Sequence, residues 1–160
     1  MSSLIRVRRS PIHGNGVFAA KDIPMGTEVI EYTGKLITIA EADEMYDEVY
    51  KGHTFLFTLN DDWIIDANQS GNDAKWINHS CEPNCIPVLY EDEHDRSQDQ
   101  VFILTLRDIK KGEELNYDYG ISFDIPYTAR LKKIWVCHCG APSCTGTMLK
   151  PMDHERRMEP

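Results

Sequence analysis

Near the C-terminus, three cysteines fall within eight residues: Cys137-His138-Cys139-Gly140-Ala141-Pro142-Ser143-Cys144. No other stretch restricts the folding of the chain so strongly. Three thiolates at this spacing suit a tetrahedral zinc ion, and Gly140 and Pro142 favour the tight turn that returns the ligands to one point. Free thiols in an ordinary turn are the plainer alternative, and the clustering speaks against them. One coordination position is left for water or a distant residue, with Cys81, Cys85 and His138 as candidates. Three sulfurs make an electron-rich, closed type of site, so a structural zinc fits better than a catalytic one. The cysteines number five, an odd count that argues against a disulfide framework.

A chain of 160 residues is long enough to bury a core as one domain without further staples. Its net charge of −9 disfavours direct nucleic-acid binding and favours basic partners, including Lys- and Arg-rich protein tails. Met1 to Arg9 carries charge but no apolar signal core, and no apolar run is long enough to span a membrane. The expectation is an intracellular protein without membrane association: cytoplasmic if bacterial, nuclear if eukaryotic, with a secreted effector as a further option.

Most segments read as short strands separated by turns. Val17-Phe18-Ala19-Ala20 is apolar, Pro24-Met25-Gly26 supplies a turn, and Glu28 to Leu36 reads as strand interrupted at Gly34. Thr38 and Glu41 form a capping-box pattern that opens a helix, with Ala42, Met45 and Val49 on one face and Gly52 as its end. Phe55 to Leu59 and Trp63 to Ile65 flank Asn60-Asp61-Asp62 as a hairpin. Ile86 to Tyr90 and Val101 to Leu106 flank an exposed polar loop. Asp22 to Glu28 echoes Asp108 to Glu114, which we read as two similar turn units rather than a duplication. The absence of βαβ alternation excludes a Rossmann-type architecture.

Three further motifs carry polar chemistry. Asn78-His79-Ser80-Cys81-Glu82-Pro83-Asn84-Cys85 follows the apolar Trp76-Ile77. Tyr117 and Tyr119, two apart in Glu113 to Gly120, share a face if the segment is a strand. His13-Gly14-Asn15-Gly16 lets backbone approach a ligand. Taken singly, each reads as an ordinary turn or strand.

In this order the motifs resemble the SET-domain protein lysine methyltransferases. The likeness runs from about Arg6 to Leu149. It includes Gly14-Asn15-Gly16-Val17-Phe18-Ala19, Glu31-Tyr32-Thr33-Gly34, Ile65-Asp66-Ala67, Gly71-Asn72-Asp73-Ala74, Asn78-His79-Ser80-Cys81, Gly112-Glu113-Glu114-Leu115 and Tyr117-Asp118-Tyr119. The cysteine trio resembles the family's post-SET segment, and the chain looks most like compact, single-domain bacterial members. The resemblance implies a mostly β fold of small curved sheets around a knot-like crossing, with one short helix insert and a zinc-bound tail. It places a SET domain at 5–120 with its insert at about 38–62, a post-SET zinc segment at 121–150 and a tail at 151–160.

It also implies S-adenosylmethionine as cofactor and one structural zinc. By position, His13, Gly14, Asn15, Gly16, Phe55, Asn78, His79 and Met148 are the expected cofactor contacts. Tyr119 is the expected catalytic tyrosine, with Tyr32 and Tyr117 lining a lysine channel. Cys81 becomes the fourth ligand beside Cys137, Cys139 and Cys144, and Cys85 the spare thiol. Phe55, Lys75 and Trp76 depart from the residues usual at their positions. The expected function is lysine methylation of a basic protein or histone tail, giving mono- and dimethyl products. The competing readings are a catalytically weak reader of basic tails and a zinc-dependent scaffold.

Overall fold

The computed structural model describes residues 3–47, 54–123 and 125–150. Among these residues ten short strands lie in three small sheets, joined by loops, two brief α-helices and two 3-10 turns. The mostly β architecture matches the sequence expectation.

The first sheet has the order β1 (Ile5–Arg9), β2 (Asn15–Ala19), β10 (Glu114–Tyr117), β7 (Asn78–His79). β10 runs antiparallel to β2 but parallel to β7, with Asn116 opposite Asn78 and Tyr117 opposite His79. The Asn-His and Tyr-x-Tyr motifs, remote in sequence, thereby become neighbours. Asn84 and Asn116 brace this crossing: each backbone N–H donates to the other's side-chain oxygen at 2.9 Å.

The second sheet contains β3 (Glu28–Glu31), β9 (Gln100–Thr105) and β8 (Cys85–Tyr90), with β9 central. The third contains β4 (Lys35–Thr38), β6 (Trp63–Asp66) and β5 (Leu56–Thr58), with β6 central. Gly34 separates β3 from β4 because a Cβ there would lie 2.5 Å from the Asp66 carbonyl oxygen. The β5–β6 and β8–β9 hairpins form as their sequences predict. One contiguous core, including Val17, Ile23, Ile77, Ile103, Ile109 and Leu115, lies between the sheets.

Helix α1 (Ile39–Met45) starts at the predicted capping box: the Glu41 N–H donates to Thr38 Oγ1, and the Thr38 N–H to the Glu41 carboxylate. It ends earlier than the apolar spacing suggests. Tyr46 is already extended and its hydroxyl donates to the buried Asp66 carboxylate at 2.7 Å. That tertiary bond takes the residue that would have continued the helix. Val49 and Gly52 lie outside the described residues, as does the tail 151–160.

The two echoing turns face each other. Ile23 and Ile109 exchange both backbone hydrogen bonds at 2.8 Å. Asp22 accepts from the Lys111 N–H and Asp108 from the Met25 N–H, each at 2.8 Å. Gly26 and Gly112 close the turns with φ of 79° and 91°. The repeated pattern therefore marks two turns paired with local two-fold symmetry.

Residues 121–150 gather around a second small core of Leu131, Trp135 and Leu149. Helix α2 (Ala129–Ile134), capped by Thr128, carries Leu131 into it.

Candidate functional site

Two cavities meet at Tyr119. One, of about 310 Å³, is lined by His13, Gly14, Asn15, Phe55, Asn78, His79 and Met148, together with Lys75, Trp76, Thr54, Tyr119 and the segment around Cys137. The other, of about 590 Å³, is lined by Tyr32, Tyr117, Tyr119, Phe57, Phe123 and Trp135 among others. Thr54, Lys75 and Tyr119 line both. The structure thus gathers every predicted cofactor contact except Gly16 into one cavity and all three tyrosines into its neighbour.

Gly16 is not part of the lining of either cavity. A Cβ there would lie 2.3 Å from Glu114 Oε2 and 2.9 Å from the Ser10 Cβ, so a side chain at this position would have to push the Glu114 carboxylate aside. That carboxylate accepts from Ser10 Oγ at 2.8 Å and Asn78 Nδ2 at 2.9 Å. Asn78 Nδ2 also donates to the carbonyls of His13 and Asn15. The Asn78 amide and Glu114 together pin the 13–15 loop against the first sheet. Gly16→Ala should displace Glu114 and slacken this loop. With S-adenosylmethionine, the cofactor that the family resemblance implies, the expected result is at least tenfold weaker binding by calorimetry, with the thermal midpoint falling by only a few degrees. Unchanged affinity would mean that the loop's position is irrelevant to the cavity.

His79 joins the two motifs. Its Nδ1 accepts from the Tyr119 N–H at 3.0 Å, which leaves the proton on Nε2, 3.7 Å from Cys81 Sγ. Burial pushes the imidazole down to about 4, against the pull of Asp118 3.7 Å away, so it is neutral near pH 7. Burial likewise holds the phenols of Tyr32, Tyr117 and Tyr119 well above the ordinary tyrosine range. The Tyr119 hydroxyl donates to the Ile77 carbonyl, and its ring lies 4.9 Å from that of Tyr117.

Sequence reasoning noted Lys75 and Trp76 only as departures, yet both line the smaller cavity. The Lys75 ammonium lies 5.0 Å from the Trp76 ring centre and 5.7 Å from that of Phe55. Trp76 packs edge-on against Phe55 at 5.2 Å. The signal was their place just before Asn78, where the 3-10 turn Asp73–Trp76 carries them toward the strand. Ile134, Val136 and His138, also in the lining, are visible only once the C-terminal segment has folded back.

The Sγ atoms of Cys81, Cys137, Cys139 and Cys144 all lie within 4.8 Å of one another, and Cys81 and Cys137 are 3.8 Å apart. A tetrahedral ion with metal–sulfur bonds of about 2.3 Å needs sulfurs about 3.8 Å apart, so the four thiols fit one. Burial opposes the Cys139 thiolate, but N–H groups of Cys81 and Ala141 and the neighbouring thiols bring it down to about 6. Cys85 sits apart, buried at the start of β8 opposite Thr105 of β9, its thiol pushed up by burial to about 12. The spare cysteine is thus a core residue.

A mostly β chain whose Asn-His and Tyr-x-Tyr strands cross beside two abutting cavities defines a narrow structural class. A family profile described as SET domain matches residues 14–120, and the chain belongs to the SET-domain family. It is 38% identical over 148 residues to Histone-lysine N-methyltransferase 2D of Homo sapiens, which covers 88% of this chain and 2% of that protein. It is 40% identical over 143 residues to Histone-lysine N-methyltransferase trr of Drosophila melanogaster, covering 88% and 6%. A Putative histone-lysine N-methyltransferase 1 of Plasmodium falciparum is 37% identical over 144 residues, covering 89% and 2%. The chain therefore spans only 2% to 6% of the length of these relatives. Among the described residues no helix is long and apolar enough to cross a membrane.

Proposed function

We propose that this chain is an S-adenosylmethionine-dependent protein lysine methyltransferase acting on a basic, histone-like tail, with one structural zinc held by Cys81, Cys137, Cys139 and Cys144. The observation that carries the reading is the junction of the two cavities at Tyr119. Methyl transfer to an amine is an in-line displacement, which requires donor and acceptor to approach from opposite sides of one point. The smaller cavity offers aromatic faces at Phe55 and Trp76, exposed backbone at Gly14 and a cation at Lys75, which suit an adenine and an amino-acid carboxylate. The bound cofactor supplies an electrophilic methyl group on a cationic sulfur.

The chain's own residues supply alignment. Tyr32, Tyr117 and Phe57 wall the lysine side with desolvated aromatic surface, which disfavours an ammonium and favours the neutral amine that reacts. Burial holds the Tyr32, Tyr117 and Tyr119 phenols neutral, so none of them serves as the base. The amine proton therefore leaves to solvent before transfer. Relatives named as histone-lysine N-methyltransferases support this reaction class, and the acidic charge of −9 supports a basic substrate. In this reading residues 5–120 form the catalytic unit and 121–150 the zinc-bound wall of the cofactor cavity.

The test is incubation with radiolabelled S-adenosylmethionine and histones, ribosomal proteins or free basic peptides. Label on lysine is expected. Cofactor binding without transfer to any of them would favour a reader of basic tails, and no cofactor binding would favour a zinc-dependent scaffold.

The number of methyl groups should depend on Tyr117. This residue is buried with its hydroxyl beside the Tyr119 and Tyr32 phenols. The hydroxyl can hold a water beside the amine, where an existing methyl would have to go. Displacing a held water with a methyl leaves the buried hydroxyl without its hydrogen bond, at a cost of about 1–3 kcal/mol, and each ~1.4 kcal/mol slows the later transfer about tenfold. Mono- and dimethyl-lysine are expected, with a shift to higher states in Tyr117→Phe. Mass spectrometry showing mainly trimethyl-lysine from the unmutated protein would contradict this.

A further inference from the structure

Antiparallel sheets that face solvent on one side alternate apolar and polar residues, whereas strands covered on both faces read as continuous apolar runs. β8 reads Cys-Ile-Pro-Val-Leu-Tyr and β9 reads Gln-Val-Phe-Ile-Leu-Thr. Cys85, Val101, Ile103 and Thr105 bury one face in the core, with Leu89 at its edge 36% exposed. The other presents Ile86 beside Leu104 and Val88 beside Phe102, with Tyr90 stacked on Phe102 at 5.3 Å. Ile86 is 44% exposed and Tyr90 41%, and Leu106, just past β9, is 44% exposed. Val88, Phe102 and Leu104, between the exposed residues, are half-buried.

The charge around the face has one sign. Glu28 and Glu31 of β3 lie opposite Leu104 and Phe102, and Glu28 accepts from the Tyr90 hydroxyl at 2.6 Å. Glu91, Asp92 and Glu93 follow β8 directly. The nearby cations are already paired: Arg96 with Asp99 at 2.7 Å and Glu91 at 3.8 Å, and Arg107 with Glu113 at 2.8 Å. A second copy would bring an identical acidic rim and a net charge of −9 to the same contact. Strand addition at the free edge is hindered as well. The Leu106 N–H donates to the Asn84 carbonyl, so by alternation the missing N–H of Pro87 lies on the outward edge of β8.

We infer that the outer face of the β3–β9–β8 sheet docks an amphipathic helix of a partner protein whose apolar stripe is flanked by arginine or lysine. A helix laid on a three-stranded sheet completes the usual two-layer arrangement, and a stripe at i, i+3, i+4 and i+7 matches a flat apolar strip. The basic flanks meet Glu28, Glu31 and the Glu91–Glu93 segment. This inference does not depend on the proposed catalysis, because the face is formed by different residues from those lining the two cavities.

The probe is a fluorescein-labelled helical peptide of about 18 residues, five turns long, with a leucine stripe and arginine flanks. Arginine cannot serve as the methyl acceptor in a lysine channel, so the two sites stay distinguishable. A matched peptide with glutamate flanks is the comparison. Fluorescence anisotropy should show the arginine form binding at least tenfold more tightly, with the difference shrinking as salt rises. The double variant Ile86→Lys, Leu104→Lys should lose at least tenfold of this binding while its thermal midpoint and S-adenosylmethionine affinity hold. If that variant fails to fold, the pair Glu28→Gln, Glu31→Gln reads the rim alone and should erase most of the preference for arginine flanks. Equal binding of both peptides, or undiminished binding by a folded double variant, overturns the proposal. So does concentration-dependent dimerisation in sedimentation that the same variants abolish, because the occupant would then be a second copy.

Discussion

With zinc held as proposed, Cys81→Ser is expected to abolish zinc binding and, with it, most of the affinity for S-adenosylmethionine. Of the four clustered thiols only Cys81 comes from the SET core. Cys137, Cys139 and Cys144 belong to the C-terminal segment. The metal would therefore be a cross-link between two parts of the chain. Without it the segment relies on its small core of Leu131, Trp135 and Leu149, on the Tyr127 hydroxyl bond to the Lys150 carbonyl and on the Lys150–Asp118 pair at 3.8 Å. A partly exposed ion pair of that length contributes little, whereas structural zinc in small domains is worth about 10–16 kcal/mol of apparent binding energy. Ile134, Val136, Cys137, His138 and Met148 form one wall of the smaller cavity, so detachment opens it. Metal analysis should fall from one zinc per chain to near none after dialysis, and cofactor affinity should drop by more than tenfold. Chelation of the unmutated protein should do the same. Full zinc occupancy in Cys81→Ser would remove Cys81 from the ligand set.

How far the sequence disclosed this arrangement depends on the range of the forces involved. The start of α1 was readable because Thr38 and Glu41 satisfy each other within one turn. Its end was not, because a hydrogen bond to Asp66, twenty residues away, claims Tyr46. The β5–β6 and β8–β9 hairpins announced themselves through alternation and polar turns. The parallel pairing of Asn78–His79 with Asn116–Tyr117 left no periodic trace, being two residues long and bridging a long separation; only the ordered likeness to a known family pointed to it. Gly16 shows a different difficulty. A glycine beside a polar loop suggests a close ligand, but the group it admits is the Glu114 carboxylate, and nothing local distinguishes the two. The three-cysteine cluster spoke for itself, but spacing alone left its partner open among Cys81, Cys85 and His138; the family likeness pointed to Cys81, and the fold brings that thiol to the cluster, buries Cys85 in the core and places His138 in the cavity lining.

Tyr119→Phe should leave the fold intact and nearly abolish turnover. The ring keeps its contacts with Tyr117 and His79 at 4.9 and 5.4 Å, and the bond from the Tyr119 N–H to His79 needs no hydroxyl. What disappears is the hydroxyl bond to Ile77, worth about 1 kcal/mol of stability. That bond fixes the hydroxyl: with its proton committed to a backbone carbonyl, the oxygen's remaining lone pairs can orient the reacting groups at the junction of the cavities. Removing one such preorganised group typically costs roughly a hundredfold to a thousandfold in rate. Cofactor affinity should change by only a few fold, because Tyr119 is one of many residues lining that cavity. The pH profile then separates orientation from proton transfer. Below a lysine pKa of ~10.4, each pH unit raises the neutral amine about tenfold, so the rate should climb with pH between about 7 and 9. Burial holds the Tyr119 phenol far above that window, so it stays protonated throughout and cannot be the base. The residual activity of Tyr119→Phe should therefore climb with the same slope as the unmutated protein. A flat profile in the variant would make Tyr119 the proton acceptor, and turnover within threefold of the original would remove it from the mechanism.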